Sequence, residues 1–232
     1  AALYYAAKKK IQLTTNSNPY LGSSYDNDYV EKNIISKIKQ FNHIEATKFE
    51  DLDELYKATV EILKGPNVIG WFQGKMEWGP RALGNRSILA NPSFASMKEI
   101  INIKIKRREE FRPFAPAILL EKARDYFEIP VNDSVSEYMG AIYDVKDNVK
   151  NKIPAVTHID NTSRVQTVSQ QSNLRFYNLI KEFDKQTGIP VLLNTSLNIN
   201  EPICENPENA FEAFTKTSMD VLIIENWFFK KK

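Results

Sequence analysis

The stretch from Phe49 to Gln73, FEDLDELYKATVEILKGPNVIGWFQ, constrains the fold more than any other part of the chain. Leu52, Leu55, Tyr56, Thr59 and Leu63 recur on one face of a 3.6-residue period, which predicts an amphipathic helix. Gly65 and Pro66 stop it. The short apolar run that follows is too brief for a helix and reads as a strand buried on both faces. The same order returns in NLRFYNLIKEFDKQTGIPVLLNTS. There Phe176, Leu179, Ile180 and Phe183 share a face, Gly188 and Pro190 close the helix, and an apolar strand run ends in polar residues. Helices that feed strands covered on both sides make an α/β fold.

Further elements fit that class. PFAPAILL reads as a strand with an edge or irregular start, because two prolines remove ladder donors. YMGAIYDV and SRVQTV read as strands, and VLIIEN as the last one. Ser96, Met97, Lys98 and Glu99 form a capping-box pattern that predicts a helix running through IINIKIKRREE. Asn206 and Pro207 read as N-cap and first turn of another. AALYYAAKKK opens without a methionine and reads as the closing turns of a helix. NSNPYLGSSYDND, Asn16 to Asp28, is a connector by its turn chemistry.

The chain has 232 residues, 42% of them apolar and 26% charged, which suits a soluble globular class. Lys+Arg 31 against Asp+Glu 29 gives a net charge of +2, so any anion site must be local, and nucleic acid gets no global support. One cysteine, Cys204, excludes an intrachain disulfide and suits a reducing compartment. With only His43 and His158 beside it, no usual His/Cys metal spacing exists. No apolar run reaches membrane-spanning length and no signal-peptide layout opens the chain, so a cytoplasmic location is expected.

Four segments carry cations or small polar groups. GKMEWGPRALGNRS joins Lys75, Arg81, Asn85, Arg86 and Ser87 to three glycines and a proline just after a strand, a combination able to wrap an oxyanion. Its spacing is not that of a Walker loop. IKIKRREEFR brings Lys104, Lys106, Arg107, Arg108 and Arg112, either a solvated helix face or part of a site. AVTHIDNTSRVQTV brings His158, Asp160 and Arg164. If Val165 faces the core, alternation turns Arg164 to solvent or a cleft. LLNTSLN places Asn194, Thr195, Ser196 and Asn198 at the C-terminal end of a strand, where open α/β sheets bind ligands. Ser196 has no His/Asp partner in sequence and reads as a hydrogen-bonder rather than a nucleophile. With no matching cluster of acids, the four segments together suit an anionic small molecule such as a nucleotide.

The same segments resemble the C-terminal region of the NodU/TobZ-type O-carbamoyltransferases. GKMEWGPRALGNRSILANP, INIKIKRREEFRPFAPAIL, THIDNTSRVQTV and TGIPVLLNTSLNINEPI are each similar to a block of that family, and the likeness runs from about Ala1 to Val221. The resemblance implies a YrdC-like α/β domain, a twisted mixed sheet flanked by helices, spanning residues 49–232. Residues 1–48 would be the end of an N-terminal transfer domain and its connector. It implies binding of ATP and carbamoyl phosphate, formation of carbamoyl-adenylate with release of pyrophosphate, and transfer to an acceptor hydroxyl by the N-terminal domain. Iron would belong to that N-terminal domain, no metal is assigned to residues of this one, and Mg²⁺ is a candidate companion of the nucleotide phosphates.

Carried over residue by residue, the adenylate site falls on Arg81, Lys106, Arg164, Asn194 and Ser196, with Lys106, Arg164 and Ser196 as the catalytic set. Asn85, Arg86, Ser87 and His158 are further contacts. The sequence departs from the family pattern at Lys75 for Arg, at Trp78 for Phe, at Arg107 for an aromatic, and in lacking Gly before Glu201. The rival readings are an RNA-binding module that uses the basic segments, and a docking module whose cations pair with the N-terminal domain.

Overall fold

The computed structural model describes residues 2–11 and 18–232. Asn16 and Ser17 of the expected connector lie outside the described residues. The chain opens with helix α1 (Ala2–Lys8) and, past the connector, α2 (Asn27–Asn33). Strand β1 (Ile44–Lys48), helix α3 (Leu52–Leu63), and strands β2 (Val68–Phe72) and β3 (Arg86–Ala90) follow. A short helix α4 (Met97–Glu99) leads through a π-helical turn (Ile100–Ile105) to β4 (Ala115–Leu119) and α5 (Ala123–Tyr126). Short strands β5 (Tyr143–Asp144), β6 (Thr162–Ser163) and β7 (Gln166–Val168) precede α6 (Leu174–Thr187) and β8 (Val191–Ser196). Helix α7 (Pro207–Lys216) and the hairpin β9 (Val221–Ile224) to β10 (Trp227–Lys231) complete the fold.

Eight strands form one mixed sheet in the order β1-β10-β9-β2-β3-β8-β4-β7, while β5 and β6 pair by themselves. The pairs β2–β9 and β4–β7 are parallel and the other five in the sheet are antiparallel. This is the mixed sheet flanked by helices that the family resemblance implies. Every residue of β2, β3 and β9 is buried, because both faces are covered. On one face Ile69, Trp71 and Leu89 pack with Leu55 and Leu63 of α3 and Phe176 and Phe183 of α6. On the other, Val68, Phe72 and Ile88 pack with Val30 of α2, Ile101 of the π turn and Phe214 of α7. Strand β1 and helix α2, both before residue 49, thus belong to the body of the sheet domain.

Helices α3, α6 and α7 hold the positions their periodicity dictates. Gly188 closes α6 with φ 72°, and Asn206 caps α7 through an acceptor bond from the Asn209 amide at 2.8 Å. The prolines of PFAPAILL give β4 an irregular start within an interior strand. Pairing with β7 begins only at Ala117, one residue past Pro116.

Four expectations are corrected. The capping box at Ser96 does not form, and the helix through Glu110 ends early. Ser96 is itself helical and makes no cap bond, the Lys106 amide reaches back five residues to the Ile101 carbonyl at 2.8 Å, and Arg107 then reverses the chain with φ 49°. YMGAIYDV yields only the two-residue β5, since Met139 sits at φ 55° and the Gly140 amide folds back onto the Val135 carbonyl. SRVQTV is split into β6 and β7, with Arg164 and Val165 between them. VLIIEN is not the last strand: a tight turn with Glu225 at φ 50° returns the chain as β10.

No helix among the described residues is long and apolar enough to cross a membrane. Phe183, fully buried between α6 and the sheet, is expected to lose about 3–5 kcal/mol of stability on substitution by alanine. A urea titration of Phe183→Ala checks this, with the midpoint falling and the slope unchanged.

Candidate functional site

The loop from Gln73 to Asn85 is organised by its one acidic residue. The Glu77 carboxylate is buried, and one oxygen accepts from the amides of Leu83 (2.6 Å), Asn85 (3.3 Å) and Arg86 (3.2 Å). Gly74, Gly79 and Gly84 take φ of 47°, 115° and 104°, conformations that side chains disfavour. At Gly84 a Cβ would also stand 2.2 Å from the Phe176 ring. The connector braces the loop from outside. Trp78 donates to the Pro19 carbonyl at 2.6 Å, Met76 to that of Ser23 at 2.9 Å, and the Tyr20 hydroxyl to that of Leu83 at 2.8 Å.

Arg86 pins the same loop from beneath. Its guanidinium is fully buried, lies 3.5 Å over the Phe72 ring, and donates to the carbonyls of Gln73, Asn85, Ser23 and Gly74 at 2.8–3.2 Å. Burial lowers its pKa to about 10, and the opposing pull of Glu77 and Glu225 helps keep it a cation at neutral pH. Asn85 donates to the Lys75 carbonyl and accepts from Asn173. The Ser87 hydroxyl accepts from the Gly84 amide. Asn85, Arg86 and Ser87 therefore hold the loop's shape, and none of them lines the cleft described next.

That cleft, of about 290 Å³, lies between the loop, the C-terminal end of β8 and the start of β4. Pro80, Arg81 and Ala82 form one wall, Asn194, Thr195 and Ser196 another, and Arg108, His158 and Arg164 close it. No carboxylate lines it, so it offers Mg²⁺ no acidic ligand from this chain, and the ion would have to arrive on the phosphates of a ligand. Neither Arg81 nor Arg164 has a hydrogen bond or an ion pair among the described residues. Burial, and secondarily repulsion from Arg164, pushes the Arg81 pKa down. Two cations that repel each other beside a low-dielectric wall favour an anion between them. Val165 is fully buried and Arg164 lines the cleft, although the two lie between β6 and β7 rather than on the alternating strand expected.

Asn194 supplies a second unmet demand. Its amide nitrogen donates to the Ala82 carbonyl (3.1 Å) and to Gln166 (2.8 Å), while its oxygen, buried in the cleft floor, has no partner among the described residues. A buried acceptor left unpaired costs about 1–3 kcal/mol, and a donor on a ligand would recover it. His158 hydrogen-bonds Thr162 at 3.2 Å and the Phe114 backbone, tying the turn before β6 to the start of β4. Burial holds its pKa down, with repulsion from Lys98 and Arg164 adding to the effect against the pull of Asp160.

Lys106 lies behind the cleft. The π turn directs it inward, where it is 2% exposed. Its ammonium donates to the Ser196 carbonyl and hydroxyl, at 2.5 and 3.3 Å, and to the carbonyl and side-chain oxygens of Asn198, at 3.0 and 2.6 Å. Glu201 accepts from the amides of Ile199 and Asn200, so residues 196–201 form a braced turn with Lys106 at its centre. Burial first, and Arg108 second, push the Lys106 pKa down to about 7.

Arg81, Arg164, Asn194, Ser196 and His158 thus converge from three segments, and Lys106, from the fourth, supports them through Ser196. Arg108, named in the basic segment but not carried into the expected adenylate site, lines the cleft over the Phe114 ring at 5.1 Å and is oriented by Asn102 at 2.7 Å. Sequence reasoning did not single out Glu77. The signal available for Glu77 was that it is the one acid inside the cationic loop.

Comparison with known proteins identifies the group. The family described as "Carbamoyltransferase C-terminus" matches residues 60–231. The chain belongs to this family. It is 43% identical to the nodulation protein NolNO of Sinorhizobium fredii over 82% of its length, covering 28% of that protein. It is 39% identical to an uncharacterized protein of Synechocystis over 91% of its length, covering 37% of that one. The chain therefore spans well under half the length of these relatives. In fold it is similar to full-length HypF, solved in a phosphate- and nucleotide-bound form, with TM-score 0.53 and 16% identity over 78% of this chain and 22% of HypF.

Two predictions follow from the geometry. Replacing Glu77 by Ala leaves three buried amides without their acceptor and is expected to cost about 3 kcal/mol or more. Faster amide exchange at Leu83, Asn85 and Arg86 should accompany the lower denaturation midpoint. For Lys106, a folded-state pKa of about 7 lies below the unfolded value of 10.5, so the unfolded chain binds more protons between those limits and stability rises with pH there. Replacing Lys106 by Met should flatten that rise, read as the difference in unfolding free energy between pH 6.5 and 9.5 in variant and parent.

Proposed function

We propose that this carbamoyltransferase domain binds ATP and carbamoyl phosphate in the arginine-lined cleft and forms carbamoyl-adenylate. The observation that carries the reading is the pair Arg81 and Arg164, cations without counter-ions in a cleft that has no carboxylate on its walls. A polyphosphate supplies the missing charge. The unpaired oxygen of Asn194 is suited to accept from the amide N–H of a carbamoyl group, which inorganic phosphate cannot offer.

Water cleaves carbamoyl phosphate to carbamate and inorganic phosphate. The carbamate oxygen then attacks the α-phosphorus of ATP, the bond from that phosphorus to the bridging oxygen breaks, and pyrophosphate leaves with its electron pair. Arg81, Arg164 and Arg108 face the charge that builds on the phosphoryl oxygens and on the leaving group, and act by fixed electrostatics rather than by proton transfer. Ser196, held by Lys106, presents its hydroxyl at the cleft end of β8. Lys106 acts here as a positioning residue, since its donors are already committed to Ser196 and Asn198. The carbamoyl group would then pass to an acceptor hydroxyl on the N-terminal transfer domain of the full-length protein.

The test is isotope exchange. Labelled pyrophosphate should enter ATP only when carbamoyl phosphate is present. Arg81→Ala or Arg164→Ala should each weaken ATP binding by roughly tenfold to a hundredfold, the worth of a charge-assisted contact. Failure of ATP and carbamoyl phosphate alike to bind at millimolar concentration would sink the reading.

A further inference from the structure

Asn194 reaches the cleft floor as the last member of a chain of amides that begins behind the glycine-rich loop. Strands β8 and β7 flank β4, so their backbones lie about 10 Å apart. Asn194 on β8 stands opposite Ala115, and Gln166 on β7 stands opposite Ala117. Residues two apart on a strand share a face, so only the methyl groups of β4 separate the two longer side chains. Their amides meet across it, the Asn194 nitrogen 2.8 Å from the Gln166 oxygen. Both residues are buried, Gln166 at 2% and Asn194 at 1% exposure.

A side-chain amide can be turned end for end, and which end faces a site depends on the groups around it. Here two main-chain carbonyls impose the choice, because a carbonyl oxygen can only accept. The Leu83 carbonyl receives the Gln166 nitrogen at 2.8 Å and the Tyr20 hydroxyl at 2.8 Å, which fills both of its lone pairs. The Leu83 amide is itself anchored on Glu77. Gln166 must therefore present its oxygen to Asn194, and Asn194 must answer with its nitrogen. The other N–H of that nitrogen goes to the Ala82 carbonyl at 3.1 Å. Both donors are committed, and the end left to the cleft is an oxygen with no partner among the described residues.

We propose that Gln166 is a positioning residue that leaves Asn194 only an acceptor to offer the cleft, and that Asn194 so held selects the amino group of carbamoyl phosphate against a methyl. The inference rests on the reading above and adds to it the residue that sets the polarity and the group it excludes. Acetyl phosphate has the same phosphate and carries a methyl of nearly the same size in place of the amino group. With acetyl phosphate the Asn194 oxygen stays buried and unpaired, whereas the carbamoyl N–H satisfies it. Without Gln166, one Asn194 N–H loses its acceptor and the amide is tethered by Ala82 alone. It can then swing away from the floor, and the preference falls.

The experiment titrates this chain calorimetrically with carbamoyl phosphate, acetyl phosphate and ATP. Carbamoyl phosphate should bind more tightly than acetyl phosphate by roughly fivefold to a hundredfold, the worth of one buried acceptor satisfied or left unpaired. Gln166→Met should lose most of that ratio while binding ATP as the parent does. Gln166→Asn, one methylene too short to span from Leu83 to Asn194, should do the same and keeps a polar partner for Leu83 should the methionine variant not fold. A merely structural residue would weaken all three ligands in parallel and leave the ratio intact. Equal affinity for the two acyl phosphates in the parent, or an intact ratio in the variants, would reject the inference and leave the arginine cleft standing. Failure of all three ligands to bind the parent would overturn the cleft reading and this inference with it.

Discussion

The Glu77 carboxylate is the contact on which the site depends. It is the one acid inside a loop containing Lys75, Arg81 and Arg86, and it is spent on three backbone amides rather than on a cation. That choice has two effects. The amides of Leu83, Asn85 and Arg86 turn inward, so the glycine-rich loop keeps one shape. Arg81 is left with no counter-ion at the cleft wall. Arg86 completes the arrangement by filling the space beneath the loop with a cation solvated by four carbonyls, a role that residue type alone would assign to a ligand contact.

The rest of the fold brings three other segments to that wall. Strands β3 and β8 are paired in the sheet, Ser87 opposite Ser196 and Leu89 opposite Asn194, so the loop and the polar end of β8 share one edge. The π turn sends Lys106 inward to hold Ser196 and, two residues on, gives Arg108 to the cleft. The turn before β6 delivers His158, and Arg164 follows that strand directly. The cations come from three segments, Lys106 and Arg108 sharing one, which makes electrostatic repulsion the cost of assembly and an anion its natural relief. Membership of the carbamoyltransferase family gives that anion its chemical context.

Much of this was legible in the sequence. Helices α3 and α6 have single apolar faces and orthodox stops, α7 has an orthodox start, and packing had no reason to override them. The four cationic or polar segments were visible, and Arg164 does line the cleft beside a buried Val165, although neither sits on the strand from which that was argued. What was hidden depends on long-range partners. The β9–β10 turn carries Glu-Asn where a tight hairpin favours Asn-Gly, and Glu225 is held at positive φ by the Gly74 amide and Arg175. Strand β3 reads as the tail of a loop motif because Arg86 and Ser87 look like ligands. The helix after Ser96 has good local propensity, yet burial of Lys106 among the oxygens of residues 196–198 outweighs it. Asn85, Arg86 and Ser87 carry the right chemistry for phosphate, but buried backbone groups claimed them first.

The most direct measurement is a crystal structure of this chain with a non-hydrolysable ATP analogue. The account predicts phosphate oxygens within hydrogen-bond distance of the Arg81 and Arg164 guanidiniums, with Lys106 still bound to Ser196 and Asn198. A nucleotide seated on the outer face formed by Arg107, Arg112 and Asn200, with Arg81 and Arg164 untouched, would contradict it.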